Sequence, residues 1–309
     1  EVDEDGTETR TYPYGWLFSH VIGYNDSQFG KTGLESAQNF DLLTSNAFFM
    51  EKIQNEFKGE KDQGDTVVTT LDAELQQAAY DALGENKGAV IVMEADTGKI
   101  LTLVSKPDFD PNTLAENWEI LNTDEENSPL LNRATNGSYA PGSVFKIVTA
   151  LAYMRQDTDY NSYSYDCQGS ITEDNVTIRC FNGTVHGYED LINSFANSCN
   201  ASFANIGLSL DVDGYRETAE SLLFNKKLPS VMDYTKSSFV LDAKSGSAEI
   251  MMTAMGQGKT TVSPYHMALI AEAVANGGTM MQPYLVESVT NYTGSQIRKN
   301  VPKSYKKVM

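Results

Sequence analysis

The chain has 309 residues, 40% of them hydrophobic, which is enough for one large domain or two modest domains with a well-buried core. Lys and Arg number 23 against 42 Asp and Glu, and the resulting net charge of -19 argues against nucleic acid and anionic membrane surfaces as partners. The sequence contains no apolar stretch close to the roughly 20 residues that a membrane-spanning helix requires.

The first 64 residues are predicted to form a separate N-terminal region. Residues 11–33 are rich in Gly, Tyr and polar turn residues, which predicts short strands and turns at best. Residues 51–65 are strongly charged, a pattern typical of a linker. We therefore place a domain boundary between residues 64 and 65, with the main domain over residues 65–309.

The main domain is predicted to open with a strand, a helix and a hairpin. Residues 66–70 are mostly β-branched and predict a strand, and Asp72 is suited to cap the helix that follows. Residues 88–93 and 100–104 predict two strands joined by a short turn. Residues 108–133 are polar and are predicted to be rich in loops.

The rest of the chain is predicted to be mostly helical. Beginning at Gly142, apolar residues recur at helical spacing, and similar patterns return over residues 188–195, 201–210 and 264–275. The order of elements predicts an α+β fold, with a mixed or antiparallel sheet flanked by helices, a helical subdomain and a small N-terminal segment.

Ser143 and Lys146 are the strongest candidates for catalytic residues. They follow Pro141-Gly142, so a helix that begins there places both side chains on one face, one turn apart. A serine hydroxyl needs a neighbouring base to become a good nucleophile, and a lysine can be that base if its pKa is lowered. The helix start also offers backbone N–H groups to a developing oxyanion. Taken alone, Ser-x-x-Lys is more often a capped helix with a surface lysine.

A second motif, Ser198-Cys199-Asn200, lies between two helical patterns. In isolation such a motif is most often an ordinary polar turn between helices. Its position after Ser143 and Lys146 matches the order of motifs in serine acyl-transfer enzymes of the penicillin-binding protein and β-lactamase group, which the sequence resembles.

The resemblance is narrowest to class B penicillin-binding proteins and runs along nearly the whole chain. Residues 10–13, 22–24 and 30–35 resemble the juncture before their catalytic domain, and residues 69–76, 88–107 and 256–264 resemble segments within that domain. The resemblance implies that Ser143 is the nucleophile and Lys146 its base. It also implies that Ser198 relays a proton near Lys146 and that Asn200 binds the substrate amide.

A third motif of the family, Lys-Thr-Gly, does not follow residues 256–264. Residues 31–33 spell it but occur far too early, and residues 244–246 imitate it but precede the loop that should come first. We interpret both as coincidences. We expect the third motif to lie beyond Met309, so that the transpeptidase domain lacks its C-terminal part here.

The resemblance implies a D,D-transpeptidase that cross-links peptidoglycan stem peptides ending in D-Ala-D-Ala and is acylated by β-lactam antibiotics. It implies other cell-wall synthesis or division proteins as partners, and a location on the extracytoplasmic face of the bacterial plasma membrane, held by an N-terminal helix absent from this sequence. The alternative from another class is a β-lactam-binding sensor or non-catalytic module on the same fold. A β-lactamase is a weaker alternative, because no residue is identified that would activate water for deacylation.

The positions of the cysteines and histidines indicate whether a metal site or a disulfide is expected. Cys167, Cys180 and Cys199 lack the paired spacing of a zinc site and the three histidines are scattered, so we expect no metal site and no cofactor. If the domain lies outside the membrane, Cys167 and Cys180 could form a disulfide, with two free thiols as the alternative. Cys199 is expected to stay unpaired.

Overall fold

The structure is a computed structural model that describes residues 10–46 and 64–309. The α-helices are α1 (Ser19–Ile22), α2 (Gly33–Ala37), α3 (Asn39–Leu43), α4 (Ala73–Leu83), α5 (Leu114–Thr123), α6 (Lys146–Gln156), α7 (Leu191–Ala196), α8 (Asn200–Ser209), α9 (Val212–Ser221), α10 (Ser247–Ala254) and α11 (Pro264–Ala275). The strands are β1 (Asn25–Asp26), β2 (Gly30–Lys31), β3 (Thr66–Thr69), β4 (Gly88–Met93), β5 (Ile100–Lys106), β6 (Tyr165–Cys167), β7 (Ser170–Glu173), β8 (Val176–Arg179), β9 (Gly187–Glu189), β10 (Thr279–Met281), β11 (Val286–Thr290), β12 (Gln296–Lys299) and β13 (Ser304–Lys307).

The described residues form two compact units. The first combines residues up to 137 with residues 229–235 and 264–309, and the second combines residues 138–228 with 236–263. The first unit therefore takes residues from both sides of the predicted boundary at residues 64 and 65, and that boundary stays a prediction.

The first unit is built on antiparallel strand pairs. Strand β4 pairs with β5, β11 lies between β12 and β3, and β10 pairs with β13. Tyr284, between β10 and β11, is hydrogen-bonded to the chain at the start of β5. Its carbonyl accepts from the Ile100 N–H at 3.0 Å, and its own N–H donates to the Gly98 carbonyl at 3.0 Å. These strand pairs are the sheet part of the predicted fold.

Helix α4 packs on β5 through a buried glutamine. The Gln76 amide donates to the carbonyls of Leu17 and Leu103 at 2.9 Å, and its oxygen accepts from the Leu103 N–H at 2.9 Å. Its amide is thus satisfied in the core, where an unpaired polar group would be costly. Asp72 caps this helix by accepting from the Leu75 N–H at 2.9 Å, as predicted.

The second unit is mainly helical and carries two short antiparallel strand pairs. Helix α6 packs against α8 and α9, and α8 packs against α10. The close approach of α8 to α10 requires Gly207, since a Cβ there would lie 2.5 Å from the Ala254 Cβ. Strand β6 pairs with β9 and β7 pairs with β8, so residues 165–189 form a small antiparallel layer beside the helices.

The predicted α+β class is observed, and several elements lie where the sequence places them. The strand over residues 66–69, the hairpin of β4 and β5, and the helix Pro264–Ala275 are confirmed. The prediction of loops over residues 108–133 is wrong where the stretch forms α5. Within residues 11–33 the predicted short strands are present as β1 and β2, but the short helical turns Gly15–Phe18 and Ser19–Ile22 were not predicted.

Helix α5 forms in a polar stretch because its residues Leu114 and Trp118 pack on aromatic residues outside the helix. Leu114 is buried in a cluster with Tyr24 and Phe109. Trp118 stacks on Phe29 with ring centroids 4.1 Å apart, and this pair packs on the same cluster. The predicted linker over residues 51–65 lies almost entirely outside the described residues. No helix in the described part of the chain has the length and apolar character needed to cross a bilayer.

Candidate active site

The turn that carries Ser143 belongs to the second unit. Residues Gly142–Phe145 form a 3₁₀ turn that continues directly into α6 at Lys146. Ser143 is exposed, whereas Phe145 is fully buried and Lys146 is only 1% exposed. As the spacing in the sequence predicts, the two side chains lie together, with the Ser143 hydroxyl at the surface and the Lys146 amine buried next to it. As part of the first turn, the Ser143 N–H belongs to the backbone donors that a helix leaves without an internal acceptor.

The Lys146 amine is the centre of the site. Its Nζ lies 3.2 Å from the Ser143 Oγ, 2.9 Å from the Ser198 Oγ, 2.8 Å from the Ser198 carbonyl and 2.7 Å from the Asn200 Oδ1. The structure thus brings together all four residues of the two sequence motifs, from two segments separated by about one sixth of the chain.

These contacts suit both protonation states of Lys146. The Ser198 carbonyl and the Asn200 Oδ1 can only accept hydrogen bonds, so each accepts one from the amine in either state. The hydroxyls of Ser143 and Ser198 can accept a third proton from the ammonium or donate to the lone pair of the neutral amine. A proton can therefore pass from Ser143 to Lys146 without rearrangement of the other partners.

Burial makes the neutral amine accessible near neutral pH. Desolvation lowers the pKa of Lys146 from its ordinary value of 10.5 to about 8, and the nearby thiols of Cys199 and Cys180 oppose this when they are ionised. A lysine with a pKa near the working pH can act as a general base, which an exposed lysine cannot do efficiently.

The Ser198–Asn200 segment is held in an unusual backbone conformation. Ser198 has a φ of 50°, in the left-handed region that non-glycine residues rarely adopt, and this turns its carbonyl and hydroxyl to the same amine. Cys199 then begins α8 by accepting from the Ser202 N–H at 3.4 Å. The Asn200 amide donates to the Arg179 carbonyl at 3.1 Å, which orients its oxygen towards Lys146.

A glycine-containing loop contacts the backbone just before Ser143. The Gly142 N–H donates to the Gly256 carbonyl at 2.8 Å, and Tyr139 and Val262 form an antiparallel bridge beside it. Gly256 has a φ of 81°, and a Cβ there would lie 1.9 Å from the Gly142 carbonyl oxygen. Only glycine permits this approach, so the loop over residues 256–264 directly supports the Ser143 turn.

Two buried residues, Phe145 and Thr149, hold α6 against the core of the unit. Phe145 packs edge-on against Phe224 with ring centroids 5.5 Å apart. The Thr149 hydroxyl lies 2.6 Å from the Tyr215 hydroxyl and donates to the Ala254 carbonyl at 2.8 Å. The sequence did not reveal these supports, because nothing in the local pattern says which distant segments they contact.

The two imitations of the third motif lie in different units. Residues 244–246 lie in the second unit in a turn before α10, where Lys244 is exposed and its N–H donates to the Asp242 Oδ1 at 2.8 Å. Residues 31–33 lie in the first unit, where Lys31 ends β2 and Thr32 precedes α2. The turn at residues 244–246 does not provide a strand, and our interpretation of both imitations as coincidences stays a prediction.

The structure brings together cysteines whose spacing in the sequence does not suggest a shared site. Cys167, Cys180, Cys199 and His186 come from four segments, yet their ligand atoms all lie within 4.8 Å of one another. All three thiols are free and buried. The absence of paired Cys-x-x-Cys spacing therefore does not argue against a metal site in this chain.

Comparison with known proteins identifies the family. Residues 88–309 match the penicillin-binding protein transpeptidase domain, and residues 1–67 match the penicillin-binding protein A dimerisation domain. The fold described above is thus that of a penicillin-binding protein transpeptidase domain. The chain belongs to the penicillin-binding protein transpeptidase family.

Named relatives and solved structures agree with this assignment. The chain is 33% identical over 304 residues to the peptidoglycan D,D-transpeptidase PbpA of Mycolicibacterium smegmatis, which covers 91% of this chain and 60% of that protein. Penicillin-binding protein A of Mycobacterium tuberculosis, solved as a ceftriaxone acyl-enzyme complex, superposes with a TM-score of 0.87 at 29% identity, covering 97% of this chain and 71% of that structure.

The chain is also similar to a solved D,D-transpeptidase domain of a peptidoglycan glycosyltransferase from Eggerthella lenta. The TM-score is 0.88 at 32% identity, and the superposition covers 99% of this chain and 73% of that structure. These likenesses confirm the predicted fold class and family. The chain spans 60% of the length of the Mycolicibacterium relative.

Proposed function

We propose that this protein is a D,D-transpeptidase that cross-links peptidoglycan stem peptides through an acyl-enzyme on Ser143. The observation that carries the proposal is the position of the buried Lys146 Nζ, 3.2 Å from the Ser143 Oγ and held by Ser198 and Asn200. Relatives described as peptidoglycan D,D-transpeptidases, and a structural neighbour solved as a β-lactam acyl-enzyme, support it.

In the acylation step, the Ser143 Oγ attacks the carbonyl of the penultimate D-alanine of a donor stem peptide. Lys146 takes the hydroxyl proton, and that proton reaches the leaving amine of the terminal D-alanine, with Ser198 as the relay. The peptide bond breaks and the ester on Ser143 forms. The Ser143 N–H at the start of the turn stabilises the negative charge on the carbonyl oxygen.

In the transfer step, an amine of a neighbouring stem peptide attacks the ester. Its proton passes to Lys146 and then to the departing Ser143 oxygen, so the enzyme returns to its starting state and a new peptide bond is formed. Asn200 is suited to hold the amide of the bound peptide, since its side-chain nitrogen and oxygen are fixed by Arg179 and Lys146.

A β-lactam would follow the acylation step and then stay on Ser143. Within the described residues, the hydrogen-bond partners of Ser143, Lys146, Ser198 and Asn200 are hydroxyls, amides, amines and carbonyls, and none is a carboxylate. A carboxylate poised to activate water is what rapid deacylation would need. This favours a long-lived acyl-enzyme over a β-lactamase.

The domain organisation and the location of the protein are proposed on the same basis. Residues 1–64 would belong to the N-terminal juncture and linker and residues 65–309 to the transpeptidase domain. Because the proposed substrate is peptidoglycan, the site of action would be the extracytoplasmic face of the bacterial plasma membrane, with a membrane anchor outside this sequence. Other cell-wall synthesis or division proteins are proposed partners for the same reason.

Two substrates test the proposed activity. A chromogenic β-lactam should give one stoichiometric burst of colour without sustained turnover, whereas rapid hydrolysis would indicate a β-lactamase. A synthetic stem peptide ending in D-Ala-D-Ala, mixed with an acceptor amine, should release D-alanine and yield a cross-linked product. A burst with the β-lactam but neither D-alanine release nor cross-linking would point instead to a sensor or binding module.

A further inference from the structure

A cluster of four potential metal ligands lies directly behind the candidate active site. Its members, which we call the cysteine–histidine cluster, are Cys167 at the end of β6, Cys180 after β8, His186 before β9 and Cys199 at the start of α8. The Cys167 and Cys180 Sγ atoms are 3.6 Å apart, those of Cys180 and Cys199 are 3.8 Å apart, and the His186 Nδ1 is 3.5 Å from the Cys167 Sγ.

These separations fit one tetrahedral ion. Zinc binds thiolate sulfur at about 2.3 Å and imidazole nitrogen at about 2.0 to 2.1 Å, so tetrahedral ligands would have S···S distances of about 3.8 Å and S···N distances of about 3.5 Å. Three of the six separations between the ligand atoms are within about 0.2 Å of those values, and the other three are no longer than 4.8 Å. The four atoms are therefore grouped so that small side-chain movements would place all of them at bonding distance from one ion.

The surroundings favour a closed structural site. Cys167 and Cys199 are fully buried and Cys180 is 3% exposed. Backbone N–H groups of Gly169 and Ser202 donate to the Sγ atoms of Cys167 and Cys199, each at 3.4 Å. Such donors stabilise thiolates, the form in which cysteine binds metals. With four protein ligands already in place, no position is open for a catalytic water.

A disulfide or simple packing of thiols would account for less of this geometry. A Cys167–Cys180 disulfide would use two members of the cluster and leave the contacts of Cys199 and His186 without a reason. Packing of thiols as small apolar groups would explain their burial. It would not explain why an imidazole nitrogen, which needs a polar partner, is turned towards three sulfurs.

We propose that the cysteine–histidine cluster binds one Zn²⁺ ion through three thiolates and the His186 Nδ1. On binding, the three thiols lose their protons to solvent and no electrons are transferred. Soft sulfur ligands in tetrahedral arrangement favour zinc over the harder divalent ions. The site does not depend on the proposed transpeptidase activity.

The ion would connect the two strand pairs over residues 165–189 to the segment that contacts Lys146. Cys199 stands between Ser198 and Asn200, so a metal bond to its sulfur fixes the backbone that carries both side chains. The strained backbone at Ser198, with its φ of 50°, would be stabilised by this bond. Loss of the ion is therefore expected to loosen these strand pairs and the Ser198 turn together.

The direct test is the metal content of the purified protein, measured by mass spectrometry of the elements after dialysis against metal-free buffer. We expect about one zinc per chain, with no other transition metal in comparable amount. Replacement by Co²⁺ should give the intense visible bands of tetrahedral coordination together with thiolate-to-cobalt charge-transfer absorption. Weak octahedral bands, or cobalt without the charge-transfer absorption, would overturn the proposal.

Variants assign the site to these residues. Cys180→Ser and His186→Ala should each weaken zinc binding by more than the roughly 10- to 100-fold that loss of an outer partner causes. Gln168→Ala is the matched control, because Gln168 is exposed and directly follows Cys167, and it should keep its zinc. Zinc retained in both ligand variants would contradict the assignment.

A second measurement uses the unchanged chain, in case a ligand variant fails to fold. Treatment with a strong chelator should lower the thermal midpoint, and one equivalent of zinc should restore it. After chelation, three thiols should react with a thiol reagent, and zinc should protect them. A mass two daltons low, which signals a disulfide, or three reactive thiols with no bound metal and no effect of zinc, would overturn the proposal.

Discussion

The Ser143–Lys146 turn and the cysteine–histidine cluster lie in the same unit, but the sequence encodes them in opposite ways. Ser143 and Lys146 meet because three residues of helix bring them to one face, so their spacing predicts their contact. The members of the cluster come from four segments and meet only because two strand pairs fold against α8. The comparison shows that chemistry within one helical turn can be predicted from spacing, whereas chemistry shared by distant segments needs the fold.

The two regions are linked through Ser198 and Asn200. These residues flank Cys199 and also hold the Lys146 amine, so the locally encoded pair depends on a segment that is positioned by distant contacts. Substitutions and changes of pH can separate the local contribution from the distant one.

Removal of the Lys146 amine tests the local pair. Lys146→Met keeps most of the length of the side chain but leaves Ser143 without a base, so the second-order rate of acylation by a penicillin should fall by roughly 10²- to 10⁴-fold. Stopped-flow or quenched mass measurements give that rate. Lys227→Met is the matched control, because Lys227 is an exposed lysine of the same unit and should leave the rate unchanged. Normal acylation of Lys146→Met would remove the proposed base.

Adding a methyl group at Gly256 tests whether the loop over residues 256–264 positions the Ser143 turn. Gly256→Ala places a Cβ against the Gly142 carbonyl and forces a side chain into a left-handed backbone, so the Ser143 turn must move. A shift of about 1 Å at reacting groups can cost roughly 100-fold in rate, and we expect acylation to fall by about that factor.

Gly246→Ala is the control for that variant. Gly246 has a φ of -80°, and the position that a methyl group would take there is open, with no atom beyond the adjoining residues within 4 Å. The substitution should therefore change the rate little. Equal acylation rates for Gly256→Ala and the unchanged chain would show that the loop does not position Ser143.

The pH dependence of acylation tests the burial of Lys146. Because the pKa of Lys146 is about 8 and the neutral amine is the active form, the rate should rise with pH. The neutral fraction increases roughly fivefold between pH 7 and pH 8 and levels off above about pH 9. Acylation rates with a penicillin across pH 6 to 9.5 provide the profile. A flat profile, or one that falls as pH rises, would contradict a neutral lysine base.

The buried hydroxyl of Thr149 tests the anchoring of α6. Thr149→Val preserves the shape of the side chain but leaves the Tyr215 hydroxyl and the Ala254 carbonyl without this partner, which should lower the free energy of unfolding by about 1 to 3 kcal/mol. Denaturant unfolding measures the change. Thr172→Val, at an exposed position of β7, should stay within about 0.5 kcal/mol of the unchanged chain. An equally small effect at Thr149 would show that this contact does not anchor the helix.

The sequence predicts well those features that short-range rules determine. The Asp72 cap, the hairpin of β4 and β5, and the helix Pro264–Ala275 depend on neighbouring residues, and all are confirmed. Helix α5 was not predicted because its stability comes from Trp118 packing on Phe29, which lies far away in the chain. The contact between Gly256 and Gly142 and the cysteine–histidine cluster were not predicted either, because they too join residues that are distant in the sequence.

Covalent labelling tests most directly whether Ser143 is the acyl-transfer nucleophile. After incubation with benzylpenicillin, intact mass should increase by one penicillin, and peptide mapping should place the adduct on Ser143. Ser143→Ala should carry no adduct while keeping the thermal midpoint of the unchanged chain. An adduct on another serine, such as Ser198, or undiminished labelling of Ser143→Ala, would contradict the assignment.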